Sequence, residues 1–169
     1  MPQRARRSAQ PLDDEGVVVA RMTLVGLLLL VGVPCAWAGA WGFGSFENDD
    51  ALDWVSELAR ASGPQLLVSS LRHVDPKAKY IEASGCSVAL AAAEVVAGAR
   101  GHPSASLPSE VKSWLARFRP SVSSELLDMA RSAVNTCRSG KNSDLRHLWL
   151  EGDGKAWLDD TAKLLARLK

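Results

Sequence analysis

The residues that could do chemistry in this 169-residue chain are few and widely spaced. Glu94 is the lone charged residue in an apolar segment, and a buried carboxyl group can act as a general acid or base. A second carboxyl group could come from Asp49 or Asp50, which belong to an acidic cluster at the start of the first predicted helix. Two convergent carboxyl groups roughly 5–10 Å apart would suit a hydrolase. No catalytic residue is assigned beyond Glu94 as a candidate.

Other catalytic and metal-binding patterns are missing from the sequence. The histidines His73, His102 and His147 do not have the H-E-x-x-H spacing, and no G-x-S-x-G motif occurs. Neither Cys86 nor Cys137 has a second cysteine at C-x-x-C spacing, which zinc sites commonly use. We therefore expect no metal and no cofactor, and we favour a protein that is not an enzyme.

The first 38 residues are typical of a secretory signal peptide. Arginines lie near the start, residues 23–33 are apolar, and Ala36-Trp37-Ala38 fits a signal-peptidase site. We expect cleavage after Ala38 and a domain spanning residues 39–169 in the periplasm or outside the cell. The alternative is a membrane-tethered protein that keeps residues 22–38 as an anchor, since no charge occurs from position 22 to 44.

The charge balance argues against a nucleic-acid partner. The whole chain has a formal net charge of +1, and residues 1–38 carry four arginines and three acids, so the remainder is formally neutral. A neutral domain lacks the basic face that binds DNA, RNA or anionic lipid. We expect no nucleic-acid partner, and contact with a membrane only through an uncleaved leading segment.

Two cysteines, Cys86 and Cys137, remain after residue 38. An oxidising compartment would permit a disulfide between them. We favour the alternative of two buried free thiols in alanine-rich helices, which is common for cysteine. The sequence does not give their separation in space.

Apolar residues recur with the period of an α-helix, and the sequence predicts an all-α fold. A compact bundle of six to seven short helices is expected, with a Gly/aromatic N-terminal arm packed on it. Residues 82–99 are predicted to form one helix, and from 88 to 99 only Glu94 and Gly98 depart from Ala, Val and Leu, which places that helix in the middle of the bundle. The other predicted helices lie at 49–61, 65–74, 109–118, 123–138, from 142 or 143 to 151, and from about 155 to 168.

The Gly/aromatic segment from residue 39 to 46 is the unusual part of the chain. Its spacing fits neither a dinucleotide-binding loop nor a calcium loop. It can be a packed arm, or its rings can form a groove for a protein or peptide. We expect tryptophans 41 and 54, with 149 and 157, to form a binding face. The candidate binding residues are Trp41, Phe43, Phe46, Asn48, Asp49, Asp50, Trp54 and Glu94.

At this segment the sequence resembles an uncharacterised bacterial family, domain of unknown function 4259. The resemblance rests on Gly39-Ala-Trp-Gly42, Gly44-Ser-Phe46 and the run from Asn48 to Trp54. Residues 80–83, 91–96, 145–149 and 157–158 are similar to its later blocks. The family implies an α-helical domain with no established activity. An export signal ahead of Gly39 departs from its usual members.

The resemblance sharpens the prediction about the chain terminus. Cleavage after Ala38 would expose Gly39, and we hypothesise that its free α-amino group is held by Glu94, or by an aspartate of the acidic cluster. A buried carboxylate needs a cation or hydrogen-bond donors. Arg100 and Arg131 are the rival partners for Glu94.

Overall fold

The computed structural model describes residues 40–169, and this part of the chain folds into seven α-helices without a β-strand. The all-α prediction is confirmed. The export segment and Gly39 lie outside the described residues. The helices are α1 (Asp49–Arg60), α2 (Gln65–His73), α3 (Ala83–Ala99), α4 (Ser109–Phe118), α5 (Ser124–Ser139), α6 (Asp144–Leu150) and α7 (Lys155–Arg167).

Helix α3 is the central element of the bundle, as its composition predicts. It contacts each of the other six helices, and its buried side chains run from Cys86 to Ala97 with few interruptions. Five of these eleven side chains are alanine, and small side chains let neighbouring helices approach closely. Burial on all sides removes a large apolar area from water, which is the main force that favours this arrangement.

The helix ends follow the expected capping chemistry. The Asn48 side chain accepts a hydrogen bond from the Ala51 backbone N–H at 2.8 Å and so begins α1. Helix α3 ends at Ala99, and Gly101 two residues later has a φ of +85°, the left-handed conformation that glycine adopts at little cost. There Gly101 N–H donates to the Gly98 carbonyl, and His102 N–H donates to the Ala97 carbonyl.

Cys86 of α3 and Cys137 of α5 form a disulfide, with their Cα atoms 5.5 Å apart. The structure therefore contains the disulfide and not the two free thiols that we favoured from the sequence. Both cysteines are fully buried. The Ser143 hydroxyl donates to the Cys137 carbonyl at 2.9 Å, which ties the start of α6 to the disulfide.

Among residues 40–169, none of the helices combines the length and the apolar character needed to cross a membrane.

Candidate functional site

Residues 40–48, here called the arm, form a closed loop ahead of α1. Ala40 pairs with Asn48 in an isolated antiparallel bridge, and Trp41 N–H donates to the Glu47 carbonyl at 3.1 Å. Glu47 N–H donates to the Gly44 carbonyl at 2.9 Å. These bonds close the arm on itself, and the buried side chain of Phe46 packs against the core.

The glycines of the arm make room for the Glu47 side chain. Its carboxylate folds back and accepts a hydrogen bond from Gly44 N–H at 2.8 Å. A Cβ atom at Gly42 would collide with the same carboxylate. The glycine pattern therefore reflects a close approach within the arm itself.

The aromatic residues of the arm divide between surface and core. Trp41 is 59% exposed and Phe43 is 48% exposed, whereas Phe46 is only 7% exposed and packs in the core. A cavity of about 20 Å³ lies beneath the arm, and Phe43, Ser45 and Trp157 are among its lining residues. That volume is close to what one water molecule needs, so it is too small for a ligand.

The four tryptophans that the sequence groups into one binding face do not share an exposed surface. Trp54 is 4% exposed, and its indole Nε1–H donates to the Ser70 hydroxyl at 2.8 Å. Trp157 is also buried and stacks on Trp149, with ring centroids 6.2 Å apart. Burial of these rings is favoured because each removes a large apolar area from water. Only Trp41 of the four is largely exposed.

The acidic cluster at the start of α1 lies on the surface. Asp49 and Asp50 are exposed in the first helical turn, where negative charge stabilises the helix dipole, and the Asn48 side chain is used as the cap. Asp53 and Glu57 extend this acidic face along α1. Within residues 40–169, no group of three or more His, Cys, Asp or Glu side chains is arranged to hold a metal ion.

Glu94 is the most deeply buried acid of the described chain at 2% exposure. Its Oε1 atom accepts a hydrogen bond from the Arg167 guanidinium of α7, and its Oε2 atom is buried without a partner among the described residues. The partner is therefore Arg167 rather than Arg100 or Arg131. Arg131 instead donates to the Leu168 carbonyl at 2.7 Å.

Burial raises the pKa of Glu94 above its ordinary value, and the hydrogen bond and charge of Arg167 offset only part of that effect. The nearby charge of Asp160 raises the pKa of Glu94 further. Asp160 itself is half-buried, and both burial and the charge of Glu47 raise its pKa, against the positive charges of Arg167 and Lys163. Glu94 and Asp160 thus share the positive charge of Arg167.

Sequence reasoning missed Arg167 and Asp160. The two residues are seven positions apart on α7, a spacing that places them on one face of a helix. The spacing alone could have indicated that Asp160 and Arg167 share a helix face. It could not have indicated that this face contacts α3.

The sequence pattern of the family DUF4259, a domain of unknown function, matches residues 39–160 of this chain. The chain belongs to this family. The chain matches none of the curated proteins and none of the solved structures compared with it. The helical fold that the family resemblance implied is therefore the fold of a DUF4259 domain.

Two larger depressions of this DUF4259 domain lie beside α2. One has a volume of about 370 Å³ and the other of about 560 Å³, and Ser69 lines both. His73 lines the first, and Arg72 lines the second. Sequence reasoning did not single out either depression, because the residues around them form no recognisable motif.

The candidate pair for hydrolysis is not favoured by the geometry of the DUF4259 domain. Glu94 is enclosed in the core and presents almost no surface that a substrate could reach. Asp49 and Asp50 are exposed to water. A general acid and base must both reach the same substrate, and these side chains lie in opposite environments.

Proposed function

We propose that this protein is an exported, non-enzymatic binding module, released by cleavage after Ala38. The signal-like sequence of residues 1–38 supports export. The disulfide between Cys86 and Cys137 supports it independently, because such bonds persist in oxidising compartments and are rare in the cytosol.

The observation that carries the binding role is the exposure of Trp41 and Phe43 on an arm fixed by hydrogen bonds. Exposed aromatic side chains held on a rigid segment lose little conformational freedom on binding, and they are common anchors of protein interfaces. The acidic start of α1 follows the arm directly, with Asp49 and Asp50 exposed. The partner we propose is a protein or peptide with apolar side chains flanked by lysine or arginine.

Burial of Glu94 in an ion pair favours this binding role over hydrolysis. A carboxylate that is 2% exposed and bonded to Arg167 is placed to organise the core. The membrane-tethered alternative differs from the proposal only in whether residues 22–38 are kept.

Selection from a random peptide library on the purified protein tests the binding role. We expect enriched peptides to combine aromatic or aliphatic residues with lysine or arginine, and to lose affinity at least tenfold for the variant Trp41→Ala/Phe43→Ala. Tyr80→Ala is the matched control, because Tyr80 is also 59% exposed but lies in the loop before α3. Equal binding to both variants, or no enrichment, would contradict the proposal.

Mass spectrometry of the protein purified from an exporting host tests the terminus. A mass that corresponds to residues 39–169 supports cleavage after Ala38. A mass that includes residues 22–38 would instead support the tethered form.

A further inference from the structure

Glu47 closes the arm through its backbone and its side chain together. Its carbonyl oxygen accepts a hydrogen bond from Trp41 N–H at 3.1 Å, and its own N–H donates to the Gly44 carbonyl at 2.9 Å. Its Oε2 atom accepts a hydrogen bond from Gly44 N–H at 2.8 Å. Three hydrogen bonds thus connect this one residue to both ends of the segment 41–44.

These hydrogen bonds lie on either side of Phe43. Gly44 N–H belongs to the peptide group that joins Phe43 to Gly44, so its bond to Glu47 fixes the backbone that follows the ring. Trp41 N–H is held in the same way ahead of the ring. Trp41 and Phe43 are each about half exposed or more, so core packing restrains them less than it restrains the buried Phe46. The backbone of the arm must therefore set where the two exposed rings point.

The two glycines that flank Phe43 leave room for the Glu47 carboxylate. An added Cβ atom at Gly42 would collide with Glu47 Oε2, and one at Gly44 would lie 3.0 Å from the same atom. At both glycines the three atoms nearest to the added Cβ all belong to the Glu47 side chain. Glycine at these positions is therefore matched to the bonded position of this carboxylate and not to another part of the bundle.

The hydrogen bond from Gly44 is what keeps the carboxylate in this position. Glu47 forms no ion pair within residues 40–169. Besides burial, the charge of Glu47 raises the pKa of Asp160 on α7, so these two carboxyl groups repel each other when both are ionised. A hydrogen bond to an ionised acceptor is stronger than one between neutral groups, so the Gly44 N–H can hold the side chain against this repulsion.

We propose that Glu47 is the positioning residue of the arm, and that its bond to Gly44 N–H holds Trp41 and Phe43 in the orientation in which a protein or peptide partner binds them. The role in binding rests on the proposed function. The role in ordering the arm does not, and it can be measured on the free protein.

The order of the arm is tested by amide nitrogen relaxation, which gives order parameters of about 0.85 for rigid backbone and below about 0.6 for flexible backbone. We expect Phe43 and Gly44 to be rigid in the wild type and flexible in Glu47→Ala, while the amides of α3 stay rigid in both. Glu47→Gln should restore the order, because its amide oxygen can accept the same hydrogen bond. Equal order in the wild type and Glu47→Ala would overturn the proposal.

Gly42→Ala tests the same hydrogen bond without removing the carboxylate. The added methyl group would displace the Glu47 side chain, so the Gly44 N–H loses its acceptor and the arm should become flexible. Gly42 does not have a positive φ, so alanine suits its backbone. In Gly42→Ala/Glu47→Ala there is no carboxylate to displace, and its order should equal that of Glu47→Ala alone. A rigid arm in Gly42→Ala, or a further decrease in the double variant, would overturn the proposal.

The role in binding is tested with the highest-affinity peptide selected on the wild-type protein. We expect Glu47→Ala to bind it about tenfold more weakly, the change expected for one lost hydrogen bond, and Glu47→Gln to bind it within about twofold of the wild type. Glu110→Ala is the matched control, because Glu110 is an exposed glutamate in the first turn of α4 and its loss should not change the affinity.

Two binding results would overturn the positioning role and leave the proposed function intact. One is equal affinity of the wild type and Glu47→Ala for a peptide that requires Trp41 and Phe43. The other is an equal loss in Glu47→Ala and Glu47→Gln, which would mean that the partner contacts the charge of Glu47 directly. If the selection enriches no peptide, the role in binding is overturned together with the proposed function, and the order parameters still decide whether Glu47 holds the arm.

Discussion

The carboxylate of Glu94 on α3 is bonded to the guanidinium of Arg167 on α7, across 73 positions of sequence. This pair joins the central helix α3 to α7. Because a buried ion pair costs desolvation of both groups, its value depends on both partners being present.

Removing one partner of this pair should be strongly destabilising. In Arg167→Met, the Glu94 carboxylate stays buried without its cation, and we expect a loss of about 3–5 kcal/mol in the free energy of unfolding at pH 7. Urea denaturation measures it. Lys155→Met removes an exposed pair with Asp159 and should have no measurable effect. Equal effects of the two substitutions would show that burial of the Glu94 pair contributes nothing.

The raised pKa of Glu94 predicts how stability changes with pH. The folded state binds the proton of this carboxyl more tightly than the unfolded state, so stability should fall as pH rises from about 4.5, the ordinary value, through the raised pKa. Urea denaturation of the wild type across this pH range measures the change. Glu94→Gln should flatten the curve in that range, while Asp53→Asn should not. If stability of the wild type rises with pH over this range and that rise is lost in Glu94→Gln, the predicted direction is contradicted.

The disulfide should be a large contributor to stability. It closes a loop of 51 residues, and the loop-entropy account assigns about 4 kcal/mol to such a link. Urea denaturation with and without a reductant should show a loss of this order. The variant Cys86→Ala/Cys137→Ala provides the control, since reductant should not change its stability. If reductant leaves the wild type unaffected after complete unfolding, the two thiols are not linked.

Trp54 should be important for folding and Trp41 should not. Trp54→Phe removes the indole donor of the buried hydrogen bond to Ser70, and we expect a loss of about 1–3 kcal/mol. The same substitution at exposed Trp41 should change stability by less than about 0.5 kcal/mol. Chemical denaturation of both variants makes the comparison. A larger loss at Trp41 would mean that the arm depends on this ring for its packing.

Gly101 should resist substitution because of its backbone conformation. Its φ of +85° is strained for any residue with a Cβ atom, so Gly101→Ala should cost about 1 kcal/mol. Gly152→Ala is the control, because a Cβ atom there meets no neighbour within 4 Å and the residue does not have a positive φ. Thermal melts should show a lower Tm for the first variant only. Equal melting temperatures would show that the end of α3 adjusts without cost.

Much of the fold follows from local patterns in the sequence. The helix period, the glycine and proline breaks and the capping residue Asn48 predict seven helices close to the observed bounds. The apolar composition of residues 88–99 predicts that α3 lies at the centre. These features act over a few residues, so they can be recognised without knowledge of the tertiary structure.

The candidate site was predicted only in part, because exposure and pairing depend on which helices meet. The sequence identified Glu94 as an acid that needs a partner, and it identified the arm by its glycines and rings. It could not separate Trp41, which is exposed, from Trp54, which is buried, since the residue type is the same at both positions.

The fold decided that Arg167 is the partner of Glu94 and that Cys86 meets Cys137. Side chains so far apart in sequence are brought together only by the packing of α3 against α5 and α7.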